Sequence, residues 1–179
     1  MSVLDRASAL IASKSPDEVK RLDMDRLRSL RSQAEELETA LSYLRRLAQG
    51  SLDLVEAERE RRRSGEQDQA AAIRRALSRG VSAPGSGRPL RTLTPDLDDP
   101  ELQADLESLV GIGDLAEIDQ MDDAGLDALW DRLFAVERTL SAKRHDLHVF
   151  LDQVQDEVIR RYRSGEASMD QLPGANGQA

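Results

Sequence analysis

The sequence contains no cysteine among its 179 residues, which excludes a disulfide framework and thiolate metal sites. Aromatic residues make up only 3%, too few for a thick globular core. There are two histidines, His145 and His148, three positions apart. Two such side chains can contribute to a metal site, but no second cluster of ligands accompanies them, so no metal is expected. The opening stretch MSVLDRASALIASKSPDE holds only a short apolar run broken by serines. It reads as neither a signal peptide nor a membrane span, and a cytoplasmic protein that does not engage a membrane is expected. Positive charge is also short: the formal net charge is −9. That balance argues against direct DNA binding, which needs a basic surface, and suits a partner with a basic surface.

What is abundant is charge, at 33% of residues, together with Ala, Glu, Leu and Arg. This mix predicts long helices with a thin apolar seam. Residues 1–22 read as two short helices. The first covers 2–12; the second opens at Ser15-Pro16-Asp17-Glu18, with a capping serine, a proline at the first helical position and a glutamate three residues after the cap. Asp23 then caps a long helix over 23–65, ending near Ser64-Gly65. Along it Leu27, Leu30, Ala34, Leu37, Leu41, Leu44, Ala48, Ser51 and Val55 alternate steps of three and four, the signature of a coiled-coil seam. Such a helix is about 63 Å long and needs a partner to bury that seam. Residues 66–99 read as a linker, helical over 66–80 and then flexible through VSAPGSGRPLRTLTPDLDD.

The pattern then recurs. Residues 100–121 form short helices, with Asp114 to Glu117 repeating the capping pattern of Ser15 to Glu18. A second long helix over 122–165 starts at Asp122 and carries Leu126, Leu129, Leu133, Val136, Leu140, Lys143, Leu147, Phe150 and Val154 as its seam, Lys143 being the one polar break. Residues 166–179 are expected to be a disordered tail. The chain therefore reads as a tandem duplication. The expected fold is all-α: an antiparallel two-helix coiled-coil hairpin with short flanking helices. Placing Arg45 opposite Arg144 makes paired positions sum to 189 and matches the two helices in length. A parallel arrangement is sterically open, because the linker is long enough to span the helix.

The two long helices share a polar stripe. The first is Glu38, Ser42, Arg45, Gln49 and Asp53; the second is Glu137, Ser141, Arg144, His148 and Asp152, each 99 positions from its counterpart. The steps keep all five side chains of a stripe within an arc of about 80° over about four turns. With Leu41 and Leu44 on the seam, both stripes are expected on one side of the hairpin, related by a pseudo-two-fold axis near Arg45 and Arg144. Charged positions beside a seam commonly serve only solubility and pairing. Between residues 24 and 57, however, the polar identities kept between the two copies are Glu38/Glu137, Ser42/Ser141, Arg45/Arg144 and Asp53/Asp152, all on the stripe. A merely solvated face need only stay polar, so the stripe points to specific binding. Carboxylates accept from guanine N–H donors, and arginine pairs with guanine O6 and N7 or with phosphate. A symmetric guanine nucleotide with several phosphates suits a two-fold pair of such stripes.

The pattern Glu-x3-Ser-x2-Arg-x3-Gln-x3-Asp resembles the signature of the RsiG family of cyclic di-GMP-dependent anti-sigma factors. The first stripe matches at all five positions; the second has His148 where the pattern has Gln. The resemblance implies that a dimer of cyclic di-GMP binds the hairpin without a metal. It implies too that the complex captures a WhiG-type sigma factor, silencing its sporulation genes. Histidine at 148 offers one donor or acceptor without an amide's geometry. Trp130 and Phe134 precede Glu137 on the same side of the helix and are expected to dock the sigma factor. No nucleophile–base pair or phosphate loop appears, so binding and not catalysis is expected. The competing expectation is a ligand-free coiled-coil scaffold that homodimerises through its seams.

Overall fold

The computed structural model describes residues 1–65 and 95–166, the side chain of Ile112 excepted. The expected helix at 66–80, most of the linker and the tail beyond Glu166 lie outside the described residues. Every described element is helical: α1 (Val3–Ala12), α2 (Pro16–Val19), α3 (Met24–Ser64), α4 (Pro100–Asp105), a π-helical turn (Leu106–Val110), α5 (Ile112–Ala116) and α6 (Asp123–Ser164).

The helix starts are fixed by side chains that satisfy otherwise orphaned backbone N–H groups. Ser2 and Ser15 each close a capping box, with Asp5 and Glu18 reaching back to the cap backbone. Asp23 accepts from the Arg26 N–H and Asp122 from the Gly125 N–H. Both long helices stop at glycines in the left-handed region, Gly65 at φ 68° and Gly165 at φ 76°. There a Cβ would be strained. The expectation that Asp114 caps a helix is not met. α5 starts two residues earlier, behind Gly111 at φ 65°, and Asp114 instead pairs with Arg132. The π-helical turn before it was also not expected; Leu102 and Val110, on either side of this wider turn, are both buried.

The long helices run antiparallel and bury their seams on each other. All nine expected seam residues of α3 are buried. On α6, Leu126, Leu129, Leu133, Leu140, Leu147, Phe150 and Val154 are buried. Val136 and Lys143 are half-buried. Each fully buried leucine contributes roughly 1.5–3 kcal/mol, so this double row is the main source of stability. The contacts Ser42–Arg144, Gln49–Glu137 and Arg59–Asp127 all join positions summing to 186, three below the expected register.

The short helices cover one face of the hairpin. Val3 and Ala7 of α1 and Leu102 of α4 join the core cluster of Leu37, Leu41 and Leu44, with Ala40 and Tyr43 packed against it. Ala40 lies about 180° around α3 from the centre of the polar stripe, so the stripes occupy the face away from α1 and α4. α1 and α4 are tied by Arg6, which pairs with Asp99 and Glu101, and by Asp105, which accepts the Val3 N–H at 2.7 Å. Burial pushes the Asp105 carboxyl up, against that hydrogen bond. A second cluster of Val55, Leu126, Leu129 and Leu133 closes the far end, with Leu115, Ile118 and Trp130 packed on it. Among the described residues no helix is long and apolar enough to cross a membrane.

Candidate functional site

Four residues of each stripe meet across the hairpin in one polar cluster. Ser42 Oγ donates to Glu38 at 2.7 Å, and Ser141 Oγ donates to Glu137 at 2.9 Å, each across one helical turn. Each carboxylate then takes an arginine from the other helix. Arg144 Nε donates to Glu38 at 2.9 Å, and Arg45 Nη1 stands 3.6 Å from Glu137. A second cross-helix contact follows on both sides: Gln49 Nε2 donates to Glu137 at 3.0 Å, and His148 Nε2 lies 3.3 Å from Glu38. All three kinds of contact recur 99 positions apart, so the cluster has near two-fold symmetry. Its axis passes close to the Tyr43–Leu44 and Ala142–Lys143 peptide bonds, about a residue and a half from the place expected. His148 thus occupies the role of Gln49, with a ring nitrogen in place of the amide.

The symmetry breaks at the arginines. Arg144 Nε also donates to Ser42 Oγ at 2.7 Å. The equivalent Arg45 Nε is buried and finds no hydrogen-bond acceptor. A buried unmatched donor is costly, and an acceptor supplied from outside would relieve it. At Glu38, burial pulls the carboxyl up, but the hydrogen bonds from Ser42 and Arg144 outweigh it and leave the group below its ordinary value. It is an anion at neutral pH.

Asp53 and Asp152 stand apart from this cluster. Both are exposed and neither has a partner among the described residues. They mark the two outer ends of the polar face, one turn beyond Gln49 and His148. The face is shallow, a ledge of charge between two helices, and it presents anionic acceptors at its ends and arginines at its middle. Among the described residues no group of three or more potential metal ligands is assembled.

Trp130 and Phe134 lie on the same side of α6 as the second stripe. Trp130 is half-buried on the second core cluster, while Phe134 is 41% exposed. The two rings stack at 4.9 Å.

A further set of matching residues escaped sequence analysis. Buried Glu58 pairs with Arg61 and Arg62, and buried Glu157 with Arg160 and Arg161. Arg62 donates to the carbonyls of Ile118 and Asp119, and Arg161 to the carbonyl of Lys20. These clamps pin the segments that follow the short helices. The signal for them was present: Glu-x2-Arg-Arg recurs at the same 99-residue interval, just past the window that was compared. Retained identity in this chain therefore marks structural clamps as well as the polar face.

These features define an all-α hairpin that presents a two-fold polar face beside its seam. Residues 13–79 match the model of the RsiG-like family, and over that stretch the chain is RsiG-like. The match spans α2, α3 and the whole first stripe. It ends before the second. No curated protein matches the chain.

Proposed function

We propose that the chain is a cytoplasmic anti-sigma factor that binds a dimer of cyclic di-GMP on the polar face and then holds a WhiG-type sigma factor. The observation that supports this best is the reciprocal Glu38–Arg144 and Glu137–Arg45 pairing, which sets two equivalent sets of acceptors and donors side by side. The family match over the first stripe supports the anti-sigma role, a binding and not a catalytic one. The recurrence of the stripe fits a tandem duplication, which would suit a ligand that is itself two-fold.

Without ligand the carboxylates and guanidinia neutralise one another. A guanine edge would offer N–H donors to the carboxylates, and phosphate oxygens would offer acceptors to Arg45 and Arg144. A ligand carrying both groups can replace each internal pair with two external ones. A phosphate or a guanine alone would strand one partner of each pair. Asp53 and Asp152, at the rim, need break nothing to bind. Nucleotide seated here would be shared between the two proteins, so its affinity and that of the sigma factor are coupled reciprocally.

The ligand-free scaffold reading gains one point, that most of the face is already internally satisfied. It loses its driving force, because both seams are buried within a single chain. Calorimetric titration with cyclic di-GMP, with and without a WhiG-type sigma factor, decides between them. Two nucleotides bound per chain, with tighter binding when the sigma factor is present, is the expected result. Absence of heat under both conditions would leave the scaffold.

A further inference from the structure

The Trp130 and Phe134 rings lie within 9° of parallel, one turn apart on α6. The Arg59 guanidinium lies over Trp130 at 5.3 Å and the Arg138 guanidinium over Phe134 at 6.0 Å. Four flat groups thus form a column. Its inner end is fixed, since Trp130 packs on the second core cluster and Arg59 pairs with Asp127. Its outer end is loose. Phe134 is exposed, and Arg138 has no ion-pair partner among the described residues.

This outer end comes level with one end of the polar face. Gln49 and Glu137 touch across the hairpin. From that contact Asp53 is about 6 Å further along α3, and Phe134 about 4.5 Å back along α6. Because the helices are antiparallel, both steps run the same way. The carboxylate of Asp53, without a partner of its own, therefore sits beside the gap between Phe134 and Arg138. A planar ring held between two flat groups needs about 7 Å between them. The gap is already 6.0 Å, and its outer wall is the end of a long exposed side chain.

Nothing similar exists at the other end of the face. The residues equivalent to Trp130, Phe134 and Arg138 are Arg31, Glu35 and Thr39. Arg31 and Glu35 form an ion pair at 2.7 Å, and Thr39 Oγ1 donates to the Glu35 carbonyl. Asp152 has no ring to work with.

We infer that Phe134 and Arg138, backed by Trp130, form a stacking subsite for one guanine base, with Asp53 accepting from the N–H groups on its edge. The two ends of the face are then unequal, and the Asp53 end fills first. This rests on the nucleotide reading above. Stacking is indifferent to base identity, whereas the carboxylate selects guanine, because adenine lacks the N1–H and N2–H donors.

The chain has one tryptophan, so its fluorescence reports the column directly. Cyclic di-GMP is titrated against the full chain while Trp130 emission and heat are followed, with cyclic di-AMP as the contrast. Emission is expected to change saturably with cyclic di-GMP and little with cyclic di-AMP. Phe134→Ala should weaken the first binding step about tenfold to a hundredfold, and Phe134→Tyr should restore it. Asp53→Asn should reduce the preference for guanine. Circular dichroism confirms that each variant is folded, as expected for exposed positions. If the unaltered protein binds cyclic di-GMP but Phe134→Ala binds equally well and Trp130 emission does not move, the subsite is overturned and the nucleotide reading stands. If the unaltered protein gives no heat and no emission change, both fall. Loss of sigma-factor affinity alone in Phe134→Ala, with nucleotide affinity kept, also overturns the subsite and assigns the ring to the protein partner.

Discussion

Glu38 and Glu137 hold equivalent places on opposite helices, each accepting a serine hydroxyl from its own helix while an arginine of the other helix stands at its carboxylate. The hairpin is therefore stitched by the same residues that would have to be turned outward to hold a ligand. That coupling between internal pairing and external binding sets up the measurements that follow.

The rim aspartates separate binding from stability. Asp152 is exposed and has no partner among the described residues. Asp152→Ala should leave the urea midpoint within about 0.5 kcal/mol of the unaltered protein. It should nevertheless abolish nucleotide heat in calorimetry, as should Arg45→Ala. Normal titration curves for both variants would remove the ligand assignment.

The cross-helix ion pair should be worth little in itself. Glu38 and Arg144 are both partly exposed, at 22% and 32% of their side-chain surface. A double-mutant cycle with Glu38→Gln and Arg144→Met should give a coupling energy of about 1 kcal/mol or less. A coupling several times larger would mean that the pair is a structural keystone, and the retained identities would then need no ligand.

Seam truncation should be far more damaging. Leu44 and Leu147 are fully buried in the main cluster. Leu44→Ala or Leu147→Ala should cost about 2–5 kcal/mol, seen as a clear fall in melting temperature by circular dichroism. Retained stability in either variant would place the energy elsewhere than the seam.

Acid should loosen the ends of the hairpin. Hydrogen bonds from Arg160, opposed by burial and helped by Arg161, hold the Glu157 carboxyl down to about 2, against 4.5 for an ordinary glutamate. Arg61 and Arg62 shift Glu58 in the same direction. A carboxyl depressed in the folded state adds stability above its unfolded value of 4.5 and loses it as pH falls towards 2. Melting temperature should therefore drop through that window, and Glu157→Gln should flatten the slope there while lowering stability at neutral pH. An unchanged slope in the variant would show that other carboxylates carry the acid response.

Much of this architecture could be read from residue spacing. The three-and-four steps from Leu27 to Val55 named the buried row of α3 without error, because a long helix with one narrow apolar stripe has only one way to hide it. The caps at Ser2, Ser15, Asp23 and Asp122 were equally local decisions. Three things were not local. The register lies three positions from the expected one, because the depth at which Glu38 meets Arg144 and Gln49 meets Glu137 depends on two helices at once. Asp114 was taken for a cap because it resembles Ser15 in position, but Gly111 starts that helix earlier and frees the carboxylate for Arg132. The closure of the two polar stripes on each other was also hidden. Spacing shows which side chains share a face of one helix, not which of them will find a partner on the next.

The arginine clamps carry one more implication. Arg161, near the end of α6, grips the backbone at Lys20, and Arg62, near the end of α3, grips it at Ile118 and Asp119. Each half of the molecule thus has its leading segment fastened by the trailing end of the other, like two hands clasping opposite wrists. Heat or denaturant has no weaker half to strip away first, and the whole molecule should come apart in a single cooperative event.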